Sequence, residues 1–263
     1  MSVLRPAELA CPRCGRRERH TVAYSVNGAR SPAYREAILA GSFQRFACAG
    51  CGAEVVADGP LLYVDLDAGH WFACFPRAWE PAWRELERAP ESTWRRVLVQ
   101  HSPEPVRGEA HALAVRAVFG LPALREKLLA ADAGIDDVDL ELCKLDLMRR
   151  PAPLTMDAAA RPLLEAADDE RLELSATAEV APEASRAGAG GGGGEPPTAG
   201  EPPTAGEPPT ATPLRLVVPR ARLDETRSSA WQSARDALSR GPYVDVGRFL
   251  IPGTEPAPAA WAR

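Results

Sequence analysis

The sequence predicts an α+β fold, and three observations carry that prediction. Two Cys-x-x-Cys-Gly motifs, Cys11–Gly15 and Cys48–Gly52, are set among strand-like segments and one short helix. Residues 86–150 place apolar side chains at helical spacing. Beyond residue 150, two strand-like segments flank a run of Gly, Pro and Ala. The expected organisation is a ribbon-like β unit over 1–85 with an inserted helix, a helical unit over 86–155, and a C-terminal α/β region over 156–263. The last is interrupted by a disordered Gly/Pro-rich insertion at 182–212.

In the first unit, Thr21–Val26 reads as a strand. A short helix follows, with Ser31 as N-cap, Pro32 at the first helical position, Tyr34 and Ile38 on one face, and Gly41 as its stop. Glu54–Val56 and Leu61–Leu66 read as strands separated by the turn-like Asp58-Gly59-Pro60. In the second unit, Ser92 is expected to cap a helix carrying Trp94, Val97 and Leu98, and another helix is expected over Glu109–Phe119, ending at Gly120. Leu121–Ala131 begins with Pro122 and sets Leu124 and Leu128 four residues apart. The next helix starts near Asp136 and Asp137, places Val138, Leu142 and Leu145 on one face, and ends at Arg149–Arg150 before Pro151. Acids at its start and bases at its end suit the helix dipole.

In the third region, Arg171–Val180 alternates polar and apolar residues as a half-buried strand does. Gly190–Gly194 and three near-copies of one hexad follow, Glu195–Gly200, Glu201–Gly206 and Glu207–Thr212. The hexad has no large apolar residue and cannot build a core. Leu214–Val218 reads as a second strand. The two strands are expected to pair, with the hexads in their connecting loop, because closure entropy rises only slowly with loop length. A linker between independent domains is the competing reading. A helix over Asp224–Arg240, with Trp231, Ala234 and Leu238 on one face, and a strand over Tyr243–Ile251 complete the expected elements.

The chain of 263 residues is 45% hydrophobic and 25% charged, with a formal net charge of −5, so it is not a polyanion binder as a whole. Of its 31 basic residues only Lys127 and Lys144 are lysine, a bias that a GC-rich genome accounts for; the competing reading is an arginine-driven phosphate or carboxylate site, which the spacing does not support. No signal core and no stretch of about 18 apolar residues is visible. The expected compartment is therefore the cytoplasm, where thiols stay reduced and paired cysteines read as metal ligands.

Cys11, Cys14, Cys48 and Cys51 form a candidate four-thiolate site for structural zinc. Two residues between cysteines let one turn deliver both sulfurs to one metal, and Gly15 and Gly52 suit the left-handed residue that follows. A rubredoxin-like iron centre is the alternative. The 33 residues between Cys14 and Cys48 exceed the common ribbon spacing, and the inserted helix accounts for the excess. Cys74 and Cys143 read as core thiols. His20, His70, His101 and His111 form no ligand pair, and the acidic run Asp132, Asp136, Asp137 and Asp139 reads as helix capping with a solvated face. Trp79 and Trp83, one helical turn apart, read as anchors of the first unit onto the helices.

The first 150 residues resemble the bacterial CpXC family. The resemblance rests on Cys11–Gly15, Ser25-Val26-Asn27, Cys48–Gly52, Pro60–Asp65, Phe119–Leu128 and Asp132-Ala133-Gly134, in that order. Ala49 stands where the family motif has proline, which removes no ligand. The resemblance implies a bacterial source and a zinc-ribbon-like core, and brings no established activity.

Three functions compete. The first is a zinc-stabilised adaptor that binds an unidentified protein partner through the acidic helical unit or the tail. The second is a nucleic-acid-binding ribbon using Arg13, Arg16, Arg17 and Arg19 around the first knuckle; residues 1–30 hold six arginines against two glutamates. The third is an enzyme with a pocket near Asn27 and Asp65, joined by Tyr63 and His70, although no catalytic constellation is legible. No membrane association is expected.

Overall fold

The computed structural model describes residues 2–150, 154, 156–177 and 213–258. The fold is α+β, built on three sheets. The largest has five strands in the order β1-β2-β5-β6-β7. These are β1 (Val3–Ala10), β2 (Arg17–Asn27), β5 (Leu61–Asp65), β6 (His70–Phe75) and β7 (Ala114–Phe119). The β1/β2 and β5/β6 pairs are antiparallel, whereas β2/β5 and β6/β7 are parallel. Between β2 and β5 lie helix α1 (Pro32–Leu39) and a two-stranded hairpin, β3 (Arg45–Ala47) with β4 (Glu54–Val56). Between β6 and β7 come a 3₁₀ turn (Arg77–Ala82), α2 (Trp83–Leu86), α3 (Arg88–Trp94), a π-helical turn (Arg95–Gln100) and α4 (Glu104–Ala110).

Both faces of this sheet are covered. On one, Val26, Tyr63, Phe72, Cys74 and Val118 pack against Ile38 and against Leu124 and Leu128 of α5 (Leu121–Asp132). On the other, Trp71 packs with Leu98 and Ala110, and Phe75 and Phe119 pack with Trp83 and Leu86. Two-sided burial makes β6 and β7 apolar at successive positions, without the alternation of a half-exposed strand. That is why Glu109–Phe119 reads as a helix by pattern. The expectation is corrected here, since residues 114–119 form the fifth strand and put Val115 and Val118 on opposite faces. Ser92 lies inside α3, where its hydroxyl donates to the Ala89 carbonyl at 2.9 Å, and caps nothing. Ser31 occupies the cap position of α1 but shares its hydroxyl with Ser2.

Helix α6 (Asp137–Arg149) follows α5, and Asp136 caps it by accepting from the Val138 and Asp139 N–H groups. The third sheet is antiparallel, β10-β9-β8, with β8 (Leu163–Ala167), β9 (Arg171–Thr177) and β10 (Pro213–Pro219). Leu164, Leu172, Leu174 and Val218 turn inward onto Ala130, Leu140 and Cys143. The expected pairing of the two strands around the hexads is therefore present; the hexads themselves lie outside the described residues.

The region expected as one helix over 224–240 is instead α7 (Arg222–Glu225), a 3₁₀ turn (Ser229–Trp231) and α8 (Gln232–Leu238). The Thr226 hydroxyl donates back to the Leu223 carbonyl, and the run Thr226-Arg-Ser-Ser breaks the helix. The strand expected over Tyr243–Ile251 is a buried irregular segment with one helical turn, α9 (Gly247–Leu250). Asp245 turns inward and takes the Gly247 N–H at 2.6 Å, so the backbone cannot stay extended.

A buried charge network joins these parts. The Lys144 ammonium lies 2.9 Å from Glu126 and 2.9 Å from Glu141, all three fully buried. Glu141 also takes Lys127 at 2.9 Å and the Val246 N–H at 3.0 Å. Glu126 takes the Leu164 N–H at 2.8 Å. Arg161 grips both oxygens of Glu80, at 2.8 and 2.7 Å, and reaches Asp245 at 2.6 Å. Burial alone would lower the Lys144 pKa, but Glu126 and Glu141 outweigh it and hold the ammonium charged. Burial pushes the Glu126 carboxyl up.

Two expectations follow. Replacing the middle hexad by a site-specific protease sequence and cutting there should leave both fragments co-eluting in native gel filtration, since β9–β10 pairing and Arg161–Asp245 hold them. Separation without denaturant would refute that pairing. Lys144→Met should cost about 3–5 kcal/mol in denaturant titration at neutral pH, because it leaves the buried Glu126 without its ion-pair partner and Glu141 with Lys127 alone. A buried acid with a raised folded-state pKa binds more protons folded than unfolded, so acid favours its folded form. The deficit should therefore shrink from about pH 8 to about pH 5; a deficit that grows would contradict the network.

Candidate metal centre

Each cysteine motif forms the tip of an antiparallel hairpin, and the two tips are built alike. In β1/β2 the last pair is Ala10 with Arg17, and in β3/β4 it is Ala47 with Glu54. The Cys11 N–H donates to the Arg16 carbonyl at 2.8 Å and the Gly15 N–H to the Cys11 carbonyl at 2.9 Å. Their counterparts are Cys48 to Ala53 at 2.9 Å and Gly52 to Cys48 at 2.8 Å. Gly15 and Gly52 take φ of +71° and +68°, the left-handed region that side chains rarely adopt.

These equivalent turns bring all four sulfurs within 4.8 Å of one another. Cys11 and Cys51 sulfurs are 3.6 Å apart, as are those of Cys14 and Cys48. That is far beyond the roughly 2.05 Å of a disulfide. It is close to the edge of about 3.8 Å of a tetrahedron with metal–sulfur bonds of about 2.3 Å. The donor set and its size fit one soft tetrahedral cation. The electrostatics ask for one as well. The Cys14 N–H lowers the Cys11 thiol to about 6. The Arg16 N–H lowers Cys14, but crowding by the sulfurs of Cys51, Cys11 and Cys48 outweighs it and pushes that thiol up to about 12. Four thiolates share this volume only if a cation neutralises them.

Glu18 ties the two knuckles together. From β2 it accepts the Ala49 N–H at 3.1 Å and pairs with Arg16 at 2.9 Å. Proline at position 49 would have no N–H to give, so the departure from the family motif is put to use here. The Gly50 N–H points at the Cys48 sulfur, 3.4 Å away.

The other candidate residues fall elsewhere. Arg13, Arg16, Arg17 and Arg19 are all exposed around the first knuckle. Arg16 engages the half-buried Glu18, and Arg17 engages Glu8 at 3.0 Å in an exposed pair. Asn27 accepts the Arg30 N–H at 2.8 Å, and Asp65 accepts the Ala68 N–H at 3.1 Å, each closing a local turn. Tyr63 donates to Asp65 at 3.4 Å, and Gly28 lies so close that a β-carbon there would stand 2.2 Å from the Tyr63 hydroxyl. His70, opposite Asp65 across β5/β6, is buried with Nδ1 unpartnered, and burial lowers its pKa. The acidic run divides among separate partners: Asp132 with Arg35, Asp137 with Arg116 and Lys127, Asp139 with Arg227 and Arg235. Burial pushes the Cys143 thiol up to about 11 and raises Cys74 further, as suits core thiols. Trp83 anchors the C-terminal segment, donating to the Ile251 carbonyl at 2.9 Å. The buried triad Glu126, Glu141 and Asp245 escaped sequence reasoning; its one legible sign was that the chain's two lysines sit on facing helices.

Among the described residues no helix is long and apolar enough to cross a membrane. Neither a curated protein nor a solved structure matches this chain. A family model described as CpXC protein matches residues 9–144, which takes in both knuckles, the five-stranded sheet from β2 to β7, and α5. With more than half its length so matched and its four family cysteines gathered at one point, the chain belongs to the CpXC family.

Proposed function

We propose that this protein is a zinc-stabilised cytoplasmic adaptor whose ribbon hairpin docks a protein partner. The observation that carries the reading is the state of β1. Among the described residues it is an edge strand of the large sheet, paired only with β2, and its residues Val3–Pro6 are exposed. Leu4 and Tyr24 add exposed apolar surface beside that edge. An unpaired strand edge with apolar side chains is a template for an added strand. Zinc suits the four-thiolate set, and four protein ligands leave no position for a reacting water. Thiols that bind metal must be reduced, which supports a cytoplasmic location.

A second reading has its own support. Arg13 and Arg19 are exposed beside the first knuckle and engage no carboxylate among the described residues, leaving two cations for a phosphate backbone.

The metal reading predicts one zinc per chain by elemental analysis. Cys51→Ser should lose that zinc and unfold the ribbon, since zinc in such sites contributes about 10–16 kcal/mol. A variant that keeps both its zinc and its melting temperature would sink a structural role. The adaptor reading predicts that the zinc-loaded protein captures a partner from its own cell extract despite nuclease, and that Leu4→Lys with Tyr24→Lys loses it. Capture of nucleic acid instead, weakened by salt and by Arg13→Ala with Arg19→Ala, would transfer the function to the ribbon arginines.

A further inference from the structure

Among the described residues a cavity opens between the β3/β4 hairpin, the start of α5 and the strands β8 and β9. It measures about 460 Å³ and is walled by Val56 of β4, Leu121 and Pro122 of α5, and Leu163 of β8. A second cavity of about 280 Å³ shares Leu121, Pro122 and Arg45 with it and extends the same groove. A single water occupies about 30 Å³, whereas organic ligands take sites of about 300–1,000 Å³. Apolar walls make most of the lining, and its polar side chains are Arg45, Asp58, Arg77, Arg161 and Ser175.

The three arginines differ in what they have left to offer. Arg161 is buried and fully engaged by Glu80 and Asp245. Because Arg161 already grips both Glu80 oxygens, Arg77 adds only a 3.3 Å contact from Nε, and its two terminal nitrogens have no partner among the described residues. Its stem is held in place by packing on Gly120, where a β-carbon would stand 3.4 Å from the Arg77 Cβ. Asp58 accepts the Arg77 backbone N–H at 3.0 Å and so fixes the start of that turn. Burial raises the Asp58 carboxyl, and the neighbouring Arg77 opposes that rise. Arg45 meets Glu54 at the surface, both partly exposed, an arrangement of small energy that a better anion displaces.

We infer that this cavity binds a small organic molecule bearing a phosphate or carboxylate group, with the oxyanion on Arg77 and Arg45 and its apolar body against Leu121, Pro122 and Leu163. The guanidinium forks present paired N–H groups that match either oxyanion. The site does not rest on the adaptor reading, since it shares no residue with β1 or the cysteine turns, although Arg45 and Val56 stand on the hairpin that carries Cys48 and Cys51.

Calorimetric titration of the zinc-loaded full chain with phenyl phosphate, benzoate and inorganic phosphate tests the inference. Phenyl phosphate or benzoate should bind saturably, and inorganic phosphate at least about tenfold more weakly, for want of an apolar body. Arg77→Gln should weaken the organic anion at least about tenfold, the size of a lost charge-assisted hydrogen bond. Ala159→Trp, an exposed change at the cavity lip, should block entry while leaving the unliganded melting temperature and zinc content unchanged. The inference is overturned if neither organic anion binds saturably, if inorganic phosphate binds as well as they do, or if both variants keep wild-type affinity.

Discussion

Three carboxylates, Glu126, Glu141 and Asp245, are buried within 4.8 Å of one another, and the fold depends on how their charge is answered. Unanswered, such a cluster in a low-dielectric interior could not stay ionised. Lys144 supplies the central cation, Lys127 attends Glu141, and Arg161 attends Asp245. The remaining lone pairs receive backbone N–H groups from Leu164 and Val246. The arrangement therefore fixes more than two helices. It sets the crossing of α5 on α6, the start of β8, and the inward turn of the C-terminal segment. Its gain over a purely apolar core is small, since desolvation offsets most of the attraction. Its effect is discrimination, because a packing that displaces any one element leaves a buried charge without its partner.

The metal centre and the charge network divide the work of holding the chain. Around the knuckles the apolar cluster consists of Cys11, Cys48 and Val55 with a few partly buried neighbours, too little to order two hairpins. A cation held by the four thiolates would supply what that core lacks. At the opposite end the apolar clusters are extensive, and the charges select among ways of packing them. The family match ends at Lys144, yet Lys144, Glu126 and Glu141 of the matched part are completed by groups beyond residue 160. The C-terminal region is thus a structural complement of the family core, not an appendage to it.

Much of this was legible in the sequence wherever a local rule decided the outcome. The thiolate set, the inserted helix with Pro32, α5 with Leu124 and Leu128, and Asp136 at the head of α6 all follow from spacing and capping. Strands β9 and β10 were readable because one face of their sheet is wet and the residues alternate. Strands β6 and β7 were not, because both faces of their sheet are buried and apolar residues follow one another as they do in a buried helix. Strand β1 hides its pattern for the opposite reason: as an edge it is exposed on both sides and carries Pro6. The network was hidden because ion pairing depends on tertiary placement. Composition held one trace of it, since arginine fills every basic position except the two that face Glu126 and Glu141. A planar guanidinium needs a flat approach to its acceptors, whereas an ammonium donates in three directions and fits among converging carboxylates.

The hexads are tolerated for a related physical cause. They enter the chain between Thr177 and Pro213, which are directly paired at the open end of β9 and β10. A loop leaving from that point adds closure entropy that grows only with the logarithm of its length, so doubling it costs roughly 0.6 kcal/mol. On the other side of the balance, the pairing runs without a shift from Arg171–Pro219 to Thr177–Pro213 and buries Leu172, Leu174 and Val218 against α5 and α6. Register cannot slip by one residue without turning those side chains to solvent. The hairpin is therefore specified by its inward face and by Asp245 and Arg161 behind it, and not by the turn that connects it. Such a division of constraints permits length variation between Thr177 and Pro213.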